Sequence, residues 1–515
     1  MVVRTLQVCF VVIVLAVACD RKSHSIIPRE ESAAELLPPA WDKIREPQCQ
    51  ADEDCPGTRV CRLLDCVFPP GQVGLDDACE RPDDCGPGLS CKRRKCHSVR
   101  TAGVQSGINS PGQDWSQHRG LQRNGYSLEK GLSKKWPRNG PPLLWEVPGM
   151  GKGHTTPAIA GGRIYVTGLR QRTGYLTALG LDGRTLWRMP YGPEWRRDWA
   201  GSRCTPTVRD GRVFVNSGMG TAASFTATTG KELWRVDLYA RFGGRPPPHG
   251  YADSPLVFDN RMIVTPDADR AFMAALDITT GETLWVLEKG PGKTGYASPA
   301  LMELPNRRLI VTMTNECVAG IDADDGTLLW CDRYQDYHSG PGRLHSDYPN
   351  TPLVHGQSVF TSSGYDEGGA RLDLEADGTI QNRRWYARAF DVQHGGFVLA
   401  EGLLFGSGMS DDEEGGEWFG LDWDSGEVLY RSTWHRDRGS IIYADGMLIV
   451  YAENEGRVAL VPASDVGFRP VSEFRIPVSD KGRDHWAHPA ISDRVLYIRH
   501  YDILRAYDVS GEALL

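Results

Sequence analysis

No apolar run in this chain approaches the roughly 20 residues that a membrane-spanning helix requires, and the longest, Val8 to Ala18, falls well short. The sequence also lacks a G-x-S-x-G elbow, a Walker loop and an H-E-x-x-H pair, which removes the common local signatures of serine hydrolases, phosphate-binding NTPases and zinc peptidases. Charge of one sign is not in large excess: 58 basic side chains against 66 acidic ones leave a net charge of -8, and nothing points to nucleic acid as a partner. None of the 13 cysteines stands beside another. Asp484-His485-Trp-Ala-His488 sets two imidazoles close together, but without an identifiable third ligand no metal site is assigned.

What the chain has is repetition. Ala275-Leu-Asp-Ile-Thr-Thr-Gly-Glu-Thr-Leu-Trp285 alternates apolar and polar residues on both sides of a D-x-x-T-G turn, the pattern of two antiparallel strands joined tightly. Asp277 caps amides of the loop and Gly281 supplies a positive φ. The phrase recurs at residues 181–187, 227–234, 321–330, 374–385 and 421–429, and a degraded copy ends the chain at 506–515. A second phrase precedes each, an apolar run opened by a small residue and proline, as in TPAIAGGRIYV and SPLVFDNRMIV, and two variants, GGFVLAEGLLF and GSIIYADGMLIV, lack the proline, which makes eight copies. Markers Pro157, Pro206, Pro255, Pro299, Pro352, Gly396, Ser440 and Pro489 are 44 to 53 residues apart. Eight units of that size, each holding four short strands, predict an all-β, eight-bladed β-propeller, with seven blades as the alternative count.

Tryptophan ends the strand after the T-G turn at Trp187, Trp234, Trp285, Trp330 and Trp385, with Trp145 at the same position of an unpaired outer strand. This resembles the docking motif of propellers of the pyrroloquinoline-quinone (PQQ) type, and the Gly-His and Trp-Asp pairs of WD40 blades are absent. The lead-in Asp114 to Ser127, DWSQHRGLQRNGYS, resembles the entry segment of bacterial PQQ-binding-like propellers. That family includes quinone dehydrogenases and an outer-membrane-barrel assembly lipoprotein, so the resemblance implies fold more firmly than activity. Its dehydrogenases hold PQQ between a tryptophan and a disulfide of adjacent cysteines, beside a calcium-binding acidic cluster. This chain has no adjacent cysteines. The reading is therefore a binding or scaffolding platform, acting in envelope assembly, with no catalytic residue and no cofactor assigned; the alternative is a PQQ-dependent dehydrogenase using PQQ with calcium at the propeller mouth.

The N-terminus reads as an export signal. A basic start, a short apolar run and a small-residue cleavage site make residues 1–18 a signal peptide. Leu15-Ala-Val-Ala-Cys19 resembles a bacterial lipobox in which Cys19 is lipidated, placing the protein in the periplasm or at the outer membrane or cell surface. Residues 19–47 form a polar tether. In residues 48–97, Cys49, Cys55, Cys61 and Cys66 share their spacing with Cys79, Cys85, Cys91 and Cys96, and an exported segment with so small a core is held by disulfides, three pairings being open within each repeat. The frame CQADEDCPGTRVCRLLDC is similar to the Dickkopf N-terminal cysteine-rich repeat. A linker, 98–112, leads to the propeller at 113–515.

Three expectations follow. The outer strand around Leu143 to Val147 closes the ring by joining the last blade. Cys317 and Cys331 face each other across the hairpin ending at Trp330, with Cα atoms about 4.5–5.5 Å apart, as a disulfide, and Cys204 is a buried free thiol. Finally, His154, Arg203, His249, Tyr296, His345, His394, Arg438, Trp486 and His488 lie shortly before innermost strands, accompanied by Arg196, Arg197 and Trp199. They are expected to converge on one channel mouth and to hold an envelope or surface protein, or a small anionic ligand bound more tightly as pH falls through about 6.5.

Overall fold

The computed structural model describes residues 114–333, 347–365, 367–409, 415–477 and 484–511, together with the backbone of four short strands, Val60–Arg62, Asp65–Val67, Leu89–Lys92 and Lys95–Ser98. The signal peptide, Cys19, the tether, Cys49, Cys55, Cys79, Cys85 and His345 lie outside the described residues, as does the linker from residue 99 onward. In the cysteine-rich repeats the four strands form two hairpins that set Cys61 opposite Cys66 and Cys91 opposite Cys96.

From residue 143 onward, the propeller's own strands make eight antiparallel sheets, each a four-stranded meander. Their innermost strands are Ala158–Ala160, Thr207–Arg209, Leu256–Phe258, Ala300–Glu303, Leu353–His355, Phe397–Ala400, Gly439–Ala444 and Ala490–Ser492, here blades one to eight. The T-G turn works as its residues dictate: the Asp277 carboxylate accepts from the amides of Thr279 at 2.7 Å and Thr280 at 3.0 Å, and Gly281 turns the chain at φ 72°.

The outer strand carries a bulge beside the docking position in every blade but the seventh. In blade three Ala275 faces Trp285 but Leu276 faces Thr283, so Leu284 is the extra residue. The same shift recurs before Trp187, Trp234, Trp330 and Tyr430. Where leucine and tryptophan are neighbours, strict alternation would put one on each face; the bulge lays the tryptophan on the next blade and leaves Leu186 and Leu284 exposed and Leu233 and Leu329 half-buried. Thus Trp145, Trp187, Trp234, Trp330 and Trp385 each donate an indole N–H to a backbone carbonyl in the turn of the following blade, at 2.8 to 3.2 Å. The indole of Trp285 covers Gly326, where a Cβ would collide with the ring, but its N–H finds no hydrogen-bond partner.

The ring closes as expected. Leu143–Val147 pairs with Ile503–Asp508 as the outer strand of blade eight, with Trp145 opposite Ala506 and Glu146 2.7 Å from the Arg505 guanidinium. Cys317 and Cys331 form a disulfide with Cα atoms 5.6 Å apart, and Cys204 is a buried free thiol. The predicted register was wrong by two residues: Cys331 faces Ala319 and Cys317 faces Arg333, because the hairpin already pairs Ile321 with Leu328, one residue off the assumed centre, and the bulge at Leu329 adds another, so the disulfide is diagonal.

The lead-in segment lies on the axis side of the innermost strands. Trp115 bridges Ile159 of blade one, Ser116 accepts from the Val208 amide of blade two, and Tyr126–Ser127 pairs in parallel with Tyr443–Ala444 of blade seven. Between these points Arg123 donates to the carbonyls of Ser254 and Pro255 in blade three, and Arg119 donates to the Phe397 carbonyl of blade six and to His488 before blade eight. Six of the eight blades therefore meet one short segment, and it fills the channel.

Candidate functional site

In a four-stranded meander the connections alternate between the two ends. The loops entering innermost strands share one end with the turns between second and third strands, and the T-G turns lie at the other. The mouth is therefore built from both sets, and the second set was absent from the sequence-level reading.

A belt of rings crosses this mouth. Tyr296 and His249 have ring centres 5.9 Å apart, His249 and Trp199 5.5 Å, and Trp199 and Trp486 5.9 Å; Trp486 also meets His154 at 5.1 Å and His394 at 5.3 Å. Trp199, His394 and Trp486 belong to the loops before blades two, six and eight, so these contacts span the axis rather than join neighbours. His488 donates Nε2–H to the His394 carbonyl at 3.0 Å while its Nδ1 accepts from Arg119. Arg203 gathers the carbonyls of Asp198, Trp199 and His249, and Arg438 pairs with Glu453 at 2.6 Å. Eight of the nine candidates thus meet in one network, and His345 lies outside the described residues.

The electrostatics differ from expectation. The cations already have partners: Glu453 sits 3.1 Å from His394 as well as on Arg438, and His249 is hydrogen-bonded to Asp198 with Asp347 at 3.9 Å. Burial pushes the Glu453 carboxyl up, but His394 and Arg438 outweigh it and hold it at about 2. Burial is also the main cause that lowers His154, His485 and His488 to about 3, helped at His154 by Arg203 and at His488 by Arg119. Those three imidazoles remain neutral through pH 6.5, so the anticipated gain of positive charge there does not come from them. At these three positions the loop histidine is buried rather than solvated.

Several buried acids carry the opposite shift, Asp437 among them. Burial raises Glu194 to about 7 although its carboxylate accepts from Tyr191 Oη at 2.5 Å and from the amides of Trp195 and Gly218. Burial likewise raises Asp253 to about 6, beside Arg123. Sequence reasoning missed Glu453, Asp198, Arg119 and Arg123. A-E-N-E-G around Glu453 was legible as the second-to-third-strand turn of blade seven, whereas nothing local marks Arg119 as buried.

Eight four-stranded blades, tryptophans seated on T-G turns and a ring closed by an N-terminal outer strand define a β-propeller of the PQQ type. The profile of the family described as "Outer membrane protein assembly factor BamB" matches residues 172–432, and the chain belongs to that family. The crystal structure of BamB from Moraxella catarrhalis superposes with a TM-score of 0.50 at 15% identity, covering 71% of this chain and 99% of that one. Quinohemoprotein alcohol dehydrogenase from Comamonas testosteroni superposes with a TM-score of 0.55 at 13% identity, over 78% of this chain and 81% of that one. At these identities the likeness is one of fold. The quinoprotein alcohol dehydrogenase PedH of Pseudomonas putida is 26% identical over 164 residues, 30% of this chain and 27% of that enzyme, so the chain spans about a quarter of that relative.

PQQ is a planar tricarboxylate, and the mouth residues do not fit it as they stand. Arg203 is spent on three backbone carbonyls and Arg438 on Glu453. Trp486 lies across the axis against His154, His394 and Trp199. Among the described residues no three His, Cys, Asp or Glu side chains are grouped to hold a metal. No reaction step is derived through the cofactor.

Proposed function

We propose that the protein is an exported lipoprotein, anchored through Cys19, whose propeller mouth serves as a binding platform in envelope assembly. The observation that carries this reading is the ring belt closed across the axis, backed by the channel-filling segment 115–127: the mouth is a firm surface with paired charges rather than a deep cradle. Membership in the BamB-named family supports the envelope role. The lipobox-like Leu15 to Cys19 and the export signal support the anchor.

The test is genetic complementation in the native host. Loss of the protein should lower the fraction of outer-membrane barrel proteins that reach their heat-modifiable folded form, and the wild-type chain should restore it. The exposed-residue variant Arg196→Ala/Arg197→Ala/Trp199→Ala should not. Full rescue by that variant would move the working face away from the mouth. Titration with PQQ and calcium should yield no stoichiometric chromophore; a bound chromophore would restore the dehydrogenase reading.

A further inference from the structure

We infer that the mouth recognises a neutral saccharide chain, with the face of Trp199 as its stacking platform; this rests on the mouth being the platform proposed above and names the ligand class it takes. Trp199 is 49% exposed and is the sole large apolar side chain of the mouth loops that stands exposed among the described residues. The remaining exposed leucines and valines of the described residues lie on outer strands, the lead-in segment or the opposite end, so the described mouth loops expose an aromatic ring and no large aliphatic side chain. A pyranose presents a C–H face that lies on an indole and a girdle of hydroxyls that need donors and acceptors in the ring plane.

Those donors and acceptors are present and already oriented. His249 is fixed by Asp198 beside Trp199, and His394 by Glu453 beside Trp486. Each pairs an imidazole with a carboxylate, so donor and acceptor stand side by side at both rings. A charged ligand would have to break these pairs before gaining from them, whereas hydroxyls bridge them as they are. Trp199 and Trp486 are tilted at 51° and Trp199 and His249 at 62°, which makes a shallow cup rather than a flat shelf.

The backbone supports the same site. Trp199 and Tyr296 have φ of 47° and 69°, a region that bulky residues avoid, and the Trp199 conformation is held by Arg203 donating to its carbonyl at 3.0 Å. Left-handed backbone at aromatic residues is kept where it aims a side chain. Here it holds the Trp199 indole out in solvent, 5.9 Å from Trp486, instead of folding it into the core.

The experiment is calorimetric titration of the full mature protein with cellohexaose, maltohexaose and chitohexaose, with hexagalacturonate and a Leu/Phe-rich decapeptide as rival probes. At least one neutral hexaose should bind in the millimolar range or better and keep its affinity as salt is raised. Trp199→Ala should weaken it about tenfold. Trp199→Phe, which keeps a ring, should retain most of the affinity, and Arg184→Ala, exposed on a T-G turn at the opposite end, should change nothing. Absence of binding by all three neutral hexaoses overturns the inference, as does binding that Trp199→Ala leaves intact. Stronger binding of hexagalacturonate or of the decapeptide overturns it in favour of an anionic or a peptide ligand. Complementation by the mouth variant reads the platform role separately, so saccharide binding failing while that variant still fails to rescue would sink this inference alone.

Discussion

His488 shows how much one side chain's surroundings decide. Its Nδ1 accepts from Arg119 and its Nε2–H donates to the His394 carbonyl, so the neutral tautomer is fixed by both neighbours. Burial, with Arg119 close by, lowers its pKa to about 3, while the unfolded chain takes up the proton near 6.5. As pH falls the unfolded state therefore binds protons first. Stability is complete above about 6.5 and is lost progressively between there and 3, amounting to about 2 kcal/mol at pH 5 from this residue. Glutamine can accept and donate in the same two directions without titrating. His488→Gln should unfold at nearly the wild-type urea midpoint at pH 7 and lose about 2 kcal/mol less than wild type on acidification to pH 5. Equal losses in both proteins would show that His488 is not buried in the neutral form. Glu194 works in the other sense, since a raised folded pKa makes stability fall as pH climbs from about 4.5 to about 7. None of this was legible in the sequence, because a loop histidine next to a proline carries no sign of whether water reaches it.

At the scale of elements the sequence said most, and its one error is instructive. The T-G turn, the tryptophan after it and the small-residue-proline opening located most blades, and the spacing placed the two, at Gly396 and Ser440, whose opening lacks proline. Register across the T-G hairpin was misjudged because the bulge residue is an ordinary leucine. The structural consequence can be measured. Leu284→Ala, at an exposed bulge position, should change stability by no more than about 0.5 kcal/mol. Deleting Leu284 should cost far more, about 3 kcal/mol or above, because it turns Trp285 from Gly326 toward solvent. If the deletion is as mild as the alanine, the bulge does not aim the tryptophan. The diagonal disulfide in the next blade closes a loop of 14 residues, and Cys317→Ser with Cys331→Ser should lower stability by about 3 kcal/mol in an oxidised sample and by nothing under reductant. An identical loss in both conditions would assign the cost to the serines.

The whole molecule depends on pieces of sequence far from the blades they complete. Closure by Leu143–Val147 was legible because an outer strand with its docking Trp145 preceded any innermost strand and needed an edge. The channel plug was not. His-Arg-Gly-Leu-Gln-Arg-Asn-Gly reads as a solvated loop, yet Arg119 and Arg123 are each 3% exposed, and burial lowers both guanidiniums to about 9. Their cost is offset by carbonyls at the starts of innermost strands in blades three and six, of which Pro255 also accepts from Thr207 of blade two. The two arginines thus act as rivets between non-adjacent blades. Arg119→Met combined with Arg123→Met keeps the apolar stems but removes every such bond. It should cost about 3 kcal/mol per site, as each change strands at least one buried carbonyl. The distribution of the damage separates a rivet from a simple packing role. Amide exchange should rise along the innermost strands Leu256–Phe258 and Phe397–Ala400 and around His488, while the outer strands and T-G turns keep wild-type protection. A uniform rise over all blades would mean that the segment merely fills space. Unchanged exchange in blades three and six would mean that the ring holds itself closed without the plug.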